Sequence, residues 1–591
     1  MRSSGLAILF LAMIALASLL LPATLRADGP ALRVTVEGIT GDERENVEAA
    51  LAIPQGLVRD GAVDRRWLRR FVQQAPQKAR EALKPFGFYD PVVTVSSERP
   101  GEGIYVVNVT VEPGEPVRVT SVAVRAEGEG RDERPLARLI RAFPLAVGDI
   151  MRQDIYEKAK RDLRSRAVEL GYLSAEFSTH VIRLSPSELS AEIDLVLETG
   201  PRYYFGNINF SGAPLYPSDF FWRYLEFETG DTFSYLKIGQ TQRNLINADR
   251  FSEVVIHTDR EAADDSRHVP VDIRLTPSKP KRLRMGIGYE TDLGLKGTIK
   301  YRDVNFFRTS HEFESAIDVS QDLQILGLRY IIPDHKDMGG FTSLSFNARR
   351  EDLRAYFTET MTAEFERTKT IRRNMTGSFF FQLMKERSDA GDEGTNTFSF
   401  LPGLRLSKIT YDNIIRPSRG YRYSMELKGT HQALGSDIGL VQFTADGGLI
   451  VPLPSRFSLL TRARIGTTTL NEATAELPIA LRFFAGGDQS VRGYRYRSLG
   501  PRDSNDDVIG GRNLLTFSIE LERAIGESWG LAAFYDTGNA FNNFSDISLA
   551  QGAGAGIRYY SPVGPIKLDV ARQIGRKDPE FRLHLSVGFS L

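Results

Sequence analysis

Downstream of about residue 283 the sequence alternates apolar with polar residues in segment after segment, and this alternation limits the fold more than any other feature. The runs Phe313 to Val319, Tyr421 to Leu427 and Leu515 to Leu521 all follow it, with Gly, Asn, Asp and Pro in the turns between. It is cleanest at the end. There Phe581, Leu583, Leu585, Val587, Phe589 and Leu591 are apolar, while Arg582, His584, Ser586, Gly588 and Ser590 are polar or small. A period of two puts successive side chains on opposite faces of a strand. Sandwich strands alternate too, but across residues 283–591 charge and glycine fill the inward set, as a polar lumen and a lipid-facing wall require. No segment here approaches the ~20 continuous apolar residues of a spanning helix. A closed barrel, by contrast, satisfies every backbone group within lipid. At about 19 residues per strand and connection, the region makes a transmembrane antiparallel β-barrel of about 16 strands.

Upstream the pattern is different. Ile155, Ala159, Leu163 and Ala167 recur every four residues, and Leu68, Phe71, Val72, Ala75 and Ala79 form a similar face, so both stretches predict amphipathic helices. Each runs into glycine and an aromatic and then a strand, at Gly87-Phe88-Tyr89 and at Gly171-Tyr172-Leu173. Glycine there permits the left-handed turn that ends a helix. A degenerate third copy turns at Arg250, and Gly148-Asp149 and Gly230-Asp231 each precede a helix. The turning points lie about 80 residues apart, and self-similarity at a fixed period means an array of like units. The expectation is three α+β repeats, over residues 28–112, 113–198 and 199–277, ahead of a barrel over 283–591. In front of them stand Arg2, an apolar run from Leu6 to Leu21, Pro22 and a small-residue cleavage site near Ala27. That is the layout of a secretory signal over residues 1–27, with an uncleaved anchor helix as the alternative. The absence of cysteine fits an exported chain without disulfides. Lys+Arg and Asp+Glu both number 75, and a formal net charge of zero argues against nucleic-acid binding through bulk electrostatics.

Three stretches carry a resemblance: Phe484 to Tyr494 (FAGGDQSVRGY), Phe534 to Phe541 (FYDTGNAF) and Gly554 to Ile566 (GAGIRYYSPVGPI). In this order they resemble the outer-membrane barrel assembly and transport proteins that carry polypeptide-transport-associated (POTRA) domains, the family exemplified by BamA and TamA. Three repeats, with Ser498-Leu499-Gly500-Pro501 after the first stretch, look most like the three-POTRA subgroup exemplified by TamA. The resemblance implies a bacterial outer-membrane barrel of 16 strands with its POTRA domains in the periplasm. It also implies a role in inserting or translocating unfolded outer-membrane clients, autotransporters included. The partner it implies is a periplasm-spanning, TamB-like protein of the inner membrane. A two-partner secretion pore and a phospholipid conduit are the competing readings.

In that family a signature loop folds back into the lumen, where its arginine meets acidic and aromatic wall residues. Carried over, Arg492 is the lock and Asp536 its partner, with Gly493 and Tyr494 beside it. Arginine stays charged and offers five donors in a rigid fork, so a lumenal carboxylate can hold it bidentately. Gly486, Gly487 and Gly493 let the backbone turn and approach the wall. Arg495 and Arg497 are expected to face lumenal water. Family members are thought to part where first and last strands meet, exposing an edge that a client strand can extend. Gly286 and Gly288 mark the first strand of this seam, and Phe589 and Leu591 the last.

Enzymatic and cofactor chemistry finds no support in the sequence. Gly526-Glu-Ser528-Trp-Gly530 has the spacing of a nucleophile elbow, but a strand follows where a helix is needed, so it predicts a hairpin turn. No two of the seven histidines have metal-ligand spacing. Asp503, Asn505 and Asp507 begin like a calcium loop, but Val508 and Leu514 stand where glycine and glutamate belong. Gly552-Ala-Gly554-Ala-Gly556 lacks the helix and lysine of a phosphate cradle. The expectation is therefore no catalytic residue, no metal and no cofactor.

Overall fold

The computed structural model describes residues 32–587, apart from 60–61, 102–103, 354, 391–392, 414–416, 471–476 and 562–563. The signal segment and the seam residues Phe589 and Leu591 lie outside the described residues.

Three small α+β arrangements come first. In the first, Leu32–Glu37 runs parallel to Ile104–Glu112, which pairs antiparallel with Val92–Gly101. The helices Gly41–Ala50 and Arg65–Leu83 complete it. The second repeats the plan, with Ser190–Glu198 central between Arg118–Glu127 and Glu176–Ser185, and with helices Arg134–Arg141 and Gln153–Glu169. In the third, His268–Pro277 is central between Phe251–Thr258 and Tyr204–Ser211, with the helix Tyr235–Asn247.

The helix Arg65–Leu83 buries Leu68, Phe71, Ala75 and Ala79, the face that its spacing predicts, and Asp64 caps it by accepting from the N–H groups of Arg66 and Trp67. The helix Gln153–Glu169 is rotated from expectation. Its buried residues are Tyr156, Leu163 and Ala167, with Ile155 only partly covered. Tyr156, 1% exposed, takes the core position in the cluster that also holds Leu136 and Tyr172, and Ile155 packs against its margin.

Gly87 and Gly171 end their helices in the left-handed region, each at φ 91°. The third copy differs from the reading of Arg250 as the turning residue. Asp249 takes the left-handed conformation at φ 57°, which aspartate tolerates. Arg250 instead turns inward and is 2% exposed. Its guanidinium stacks 4.8 Å from the Phe220 ring, donates to the Val304 carbonyl, and donates to Glu312 Oε1 at 2.7 Å. Arg223 makes a second such link, donating to the carbonyls of Met338 at 2.6 Å and Asp337 at 3.1 Å. Buried arginines thus tie the third α+β arrangement to two turns of the barrel.

The barrel is closed and has sixteen antiparallel strands, from Lys281–Glu290 to Phe581–Val587. The first strand spans the predicted Arg284 to Tyr289. Its outward side chains Leu283, Met285 and Ile287 are exposed, as are Phe379, Phe381, Leu404 and Leu427 on other strands, the apolar wall that hydrocarbon demands. Polar residues of the opposite phase, such as Ser518, Glu522 and Asp536, are buried inside. The segment Gly526 to Gly530 is a hairpin turn between Asn513–Ile525 and Trp529–Phe541, with Gly526 at φ 63°.

Candidate functional site

Four neighbouring strands build one patch of the lumenal wall: Asn513–Ile525, Trp529–Phe541, Ala550–Ser561 and Gly564–Ile574. Their register aligns inward residues in rungs. Ser518 stands opposite Asp536, Asp536 opposite Gly552, and Gly552 opposite Gln573. One rung down, Glu520 faces Phe534, and Phe534 faces Gly554. On the next, Gly556 faces Asp569, and Asp569 faces His584 on the last strand. Carboxylates, a ring and three glycines therefore share one surface.

The loop between Phe457–Leu470 and Asn513–Ile525 folds onto this surface. Its Arg492 is 3% exposed. Asp536 holds it three times over, accepting from Nε at 2.7 Å, from Nη2 at 3.0 Å and from the backbone N–H at 3.1 Å. Nη1 donates to Glu520 at 2.7 Å and to Asp569 at 3.1 Å. The guanidinium carbon lies 3.4 Å from the centre of the Phe534 ring, so the cation is stacked as well as paired. Ser518 Oγ donates to Asp536 at 2.6 Å and fixes the acceptor. Arg558 lies behind, donating to Glu520 at 2.8 Å and to both oxygens of Asp569. Two guanidiniums thus meet three carboxylates, and a third, Arg462, has its Nη2 3.5 Å from Ser518 Oγ. A buried ionic cluster is tolerable only when its members are mutually satisfied.

The glycine run that sequence reasoning set aside as no phosphate cradle is the seat of the loop tip. A Cβ on Gly552 would lie 2.0 Å from the Arg492 carbonyl oxygen, and one on Gly554 would lie 2.6 Å from the Phe534 ring. At Gly556 it would meet Asp569 Oδ1 at 1.7 Å. The loop's own glycines serve its bends: Gly486, Gly487 and Gly493 have φ of 98°, 101° and 94°. Gly493 is gripped from both sides, its N–H donating to His584 Nε2 at 2.9 Å and its carbonyl accepting from Gln573 at 2.9 Å. Tyr494 is buried with Val491, Leu499, Leu514 and Ala540.

Arg495 is exposed, whereas Arg497 is not left to lumenal water. It donates to Glu351 at 2.9 Å and to the Tyr356 hydroxyl, and stacks 4.8 Å from the Phe484 ring. Glu386 anchors the loop's entry by accepting from the N–H groups of Ile479 at 2.6 Å and Ala480 at 2.8 Å. The sequence reading missed Glu520, Phe534, Arg558, Asp569 and Glu386. Counting by two from Asp536 finds Phe534, but the others need the register. Of the seam residues, Gly286 has open space where a Cβ would stand, while one on Gly288 would meet the Val587 carbonyl at 2.6 Å.

Comparison with known proteins agrees with this architecture. Residues 305–591 match the Omp85 superfamily domain, residues 33–113 match POTRA domain TamA domain 1, and residues 203–278 match the POTRA family described as surface antigen variable number repeat. Outer membrane protein assembly factor BamA of Nitratidesulfovibrio vulgaris is 22% identical over 506 residues, which cover 81% of this chain and 62% of that protein. The corresponding BamA of Neisseria meningitidis serogroup B is 21% identical over 545 residues, covering 80% and 66%. The chain thus spans less than two thirds of the length of these relatives. The crystal structure of Haemophilus ducreyi BamA lacking POTRA domains 1–3 has the same fold, with a TM-score of 0.64 at 16% identity over 80% of this chain and 99% of that one. The chain thus carries an Omp85 superfamily domain over residues 305–591, most of its sixteen-stranded barrel, with POTRA matches ahead of it over residues 33–113 and 203–278.

Proposed function

We propose that this protein is a non-enzymatic assembly factor of the bacterial outer membrane, which helps insert or translocate unfolded β-barrel clients, autotransporters among them. The observation that carries the reading is the Arg492 socket: a loop held inside a closed barrel by one arginine paired with three carboxylates, a few strands from the place where the barrel closes. A passive channel has no need of so costly a plug. Seating the loop stiffens the wall from Asn513 to Ile574. Releasing it frees the last strands to part from the first and to offer backbone N–H and C=O groups to a client strand, which gives affinity without demanding sequence. The names of the similar proteins, outer membrane protein assembly factors, point the same way.

The role we assign within the family is that of TamA, with POTRA domains in the periplasm and a TamB-like partner reaching them from the inner membrane. Its support is the match of residues 33–113 to the first TamA POTRA domain and the run of three α+β arrangements. Depletion of the protein in its host, followed by quantification of outer-membrane proteins and lipids, tests the reading. Barrel proteins, autotransporters first, are expected to fall. Unchanged barrel proteins with a redistributed phospholipid content would overturn it in favour of a lipid conduit.

A further inference from the structure

The signature loop touches the barrel at a place that the Arg492 socket does not use. Four residues before Arg492, after the left-handed turns at Gly486 and Gly487, Asp488 lies between the turn that follows the first strand and the last strand. Its backbone N–H donates to Asp292 Oδ2 at 2.9 Å, and its carboxylate meets Nδ1 of His584. His584 is 3% exposed, and the side chains of Asp292 and Asp488 are 5% and 16% exposed. A Cβ on Gly487 would stand 2.6 Å from Asp292 Oδ2, so the close approach depends on glycine.

The hydrogen bonds fix the chemistry. His584 Nε2 accepts from the Gly493 N–H, so its lone pair is there and the ring proton is on Nδ1, donated to Asp488. The three side chains could in principle ligate a metal ion. A metal on Nδ1 would require that proton to be absent and Nε2 to carry one, which would face the Gly493 N–H. The arrangement is that of a hydrogen-bonded relay. Around it the first and last strands meet at Tyr289 opposite Val587 and Glu290 opposite Ser586. The junction continues with the Thr291 N–H donating to the Leu585 carbonyl at 3.1 Å and the Leu585 N–H to Thr291 Oγ1 at 2.8 Å. Arg582 adds an ion pair with Asp292 at 3.5 Å.

We propose that Asp488 is a positioning residue that fastens the signature loop to both sides of the closing seam, so that the loop cannot leave its socket without loosening the seam. The proposal rests on the reading that the seam parts in use. Asp292 and His584 receive the two ends of the clasp, and the Gly493 N–H joins it to the arginine tip. Removing the Asp488 side chain leaves the His584 Nδ1 proton without its acceptor and disconnects loop from last strand.

Hydrogen exchange followed by mass spectrometry on the purified full chain in micelles tests this. Asp488→Ala is expected to speed exchange at residues 286–290 and 583–587 by about tenfold or more, with the strands Tyr356–Arg372 and Met375–Ala390 unchanged. Asp488→Asn, which keeps an acceptor oxygen, is expected to restore most of the protection. Arg492→Ala alone is expected to speed the same seam amides, and in the Asp488→Ala background to add nothing there. Should Asp488→Ala not fold, Asp292→Ala breaks the chain of bonds at its other link and is expected to give the same seam signal. A seam that exchanges at the wild-type rate in these variants overturns the proposal, as does an Arg492→Ala effect that ignores Asp488. Protection that rises with added zinc ion and falls with chelator overturns it in favour of a metal centre. Client insertion is a separate readout. Seam exchange that behaves as stated with insertion untouched contradicts the assembly reading alone, and insertion that needs Arg492 while the seam ignores Asp488 contradicts the clasp alone.

Discussion

Arg492 is held by charge, by stacking and by shape, and the three can be separated. Arg492→Ala removes the charge and the stacking, keeps the backbone seat on Gly552, and leaves Asp536 buried with no cation of its own, a local cost of about 3–5 kcal/mol. Gly552→Ala touches no charge. Its Cβ would lie 2.0 Å from the Arg492 carbonyl, a backbone atom that can yield only if the loop tip lifts. Gly552→Ala is therefore expected to mimic Arg492→Ala in limited proteolysis, with cleavage in the loop around residues 486–494 and the barrel still resistant to heat in gel mobility. A loop as resistant as wild type would show that the glycine seat is not what positions the tip. Arg492 and Asp536 were legible in the sequence because they stand in recognisable stretches. Glu520 and Asp569 stand outside those stretches, and Arg558, though inside one, meets them only through a register that alternation alone leaves unspecified. The glycines of residues 552–556 were visible, but their meaning depends on what approaches them.

Among the elements, the hairpins and one of the two helices read from their periods followed them. Sixteen strands come from alternation and turn residues, and the helix Arg65–Leu83 buries the face its spacing gives. The helix Gln153–Glu169 did not, because the four-residue rhythm of Ile155 and Ala159 runs beside Tyr156, whose larger ring takes the core position. Arg250 is the plainest departure: by its place in the repeat it substitutes for glycine, yet aspartate makes the turn and the arginine makes a tertiary contact. Arg250→Ala leaves Glu312 paired with Arg302 at 2.8 Å but strips the Val304 carbonyl of a charged donor. A loss of about 1–3 kcal/mol follows at that joint. Hydrogen exchange is expected to rise at residues 251–258 and 301–306 while the strands around Arg492 stay protected. Equal exchange in wild type and variant at those residues would mean that Arg223 and its carbonyl partners carry the joint by themselves.

At the scale of the whole molecule, the barrel and the loop belong to one device. Closure gives the strands a lipid-facing exterior and a polar interior, and the interior is where a desolvated ionic cluster can hold a loop strongly without fusing it to the wall. Alternation over residues 283–591 placed the chain in a membrane-barrel class, and the stretches around Arg492 and Asp536 placed it near a family. On the proposed reading the client is not legible in the chain's own residues, since backbone pairing recognises a strand and not a sequence. The most direct measurement of the central claim is reconstitution: the purified protein in liposomes, an unfolded outer-membrane barrel protein added, and the folded fraction followed with time. The account predicts that the wild-type protein speeds client folding about tenfold or more over empty liposomes, and that Arg492→Ala, inserted to the same level, falls back toward the empty-liposome rate. Equal rates with the wild type, with Arg492→Ala and with empty liposomes would contradict it.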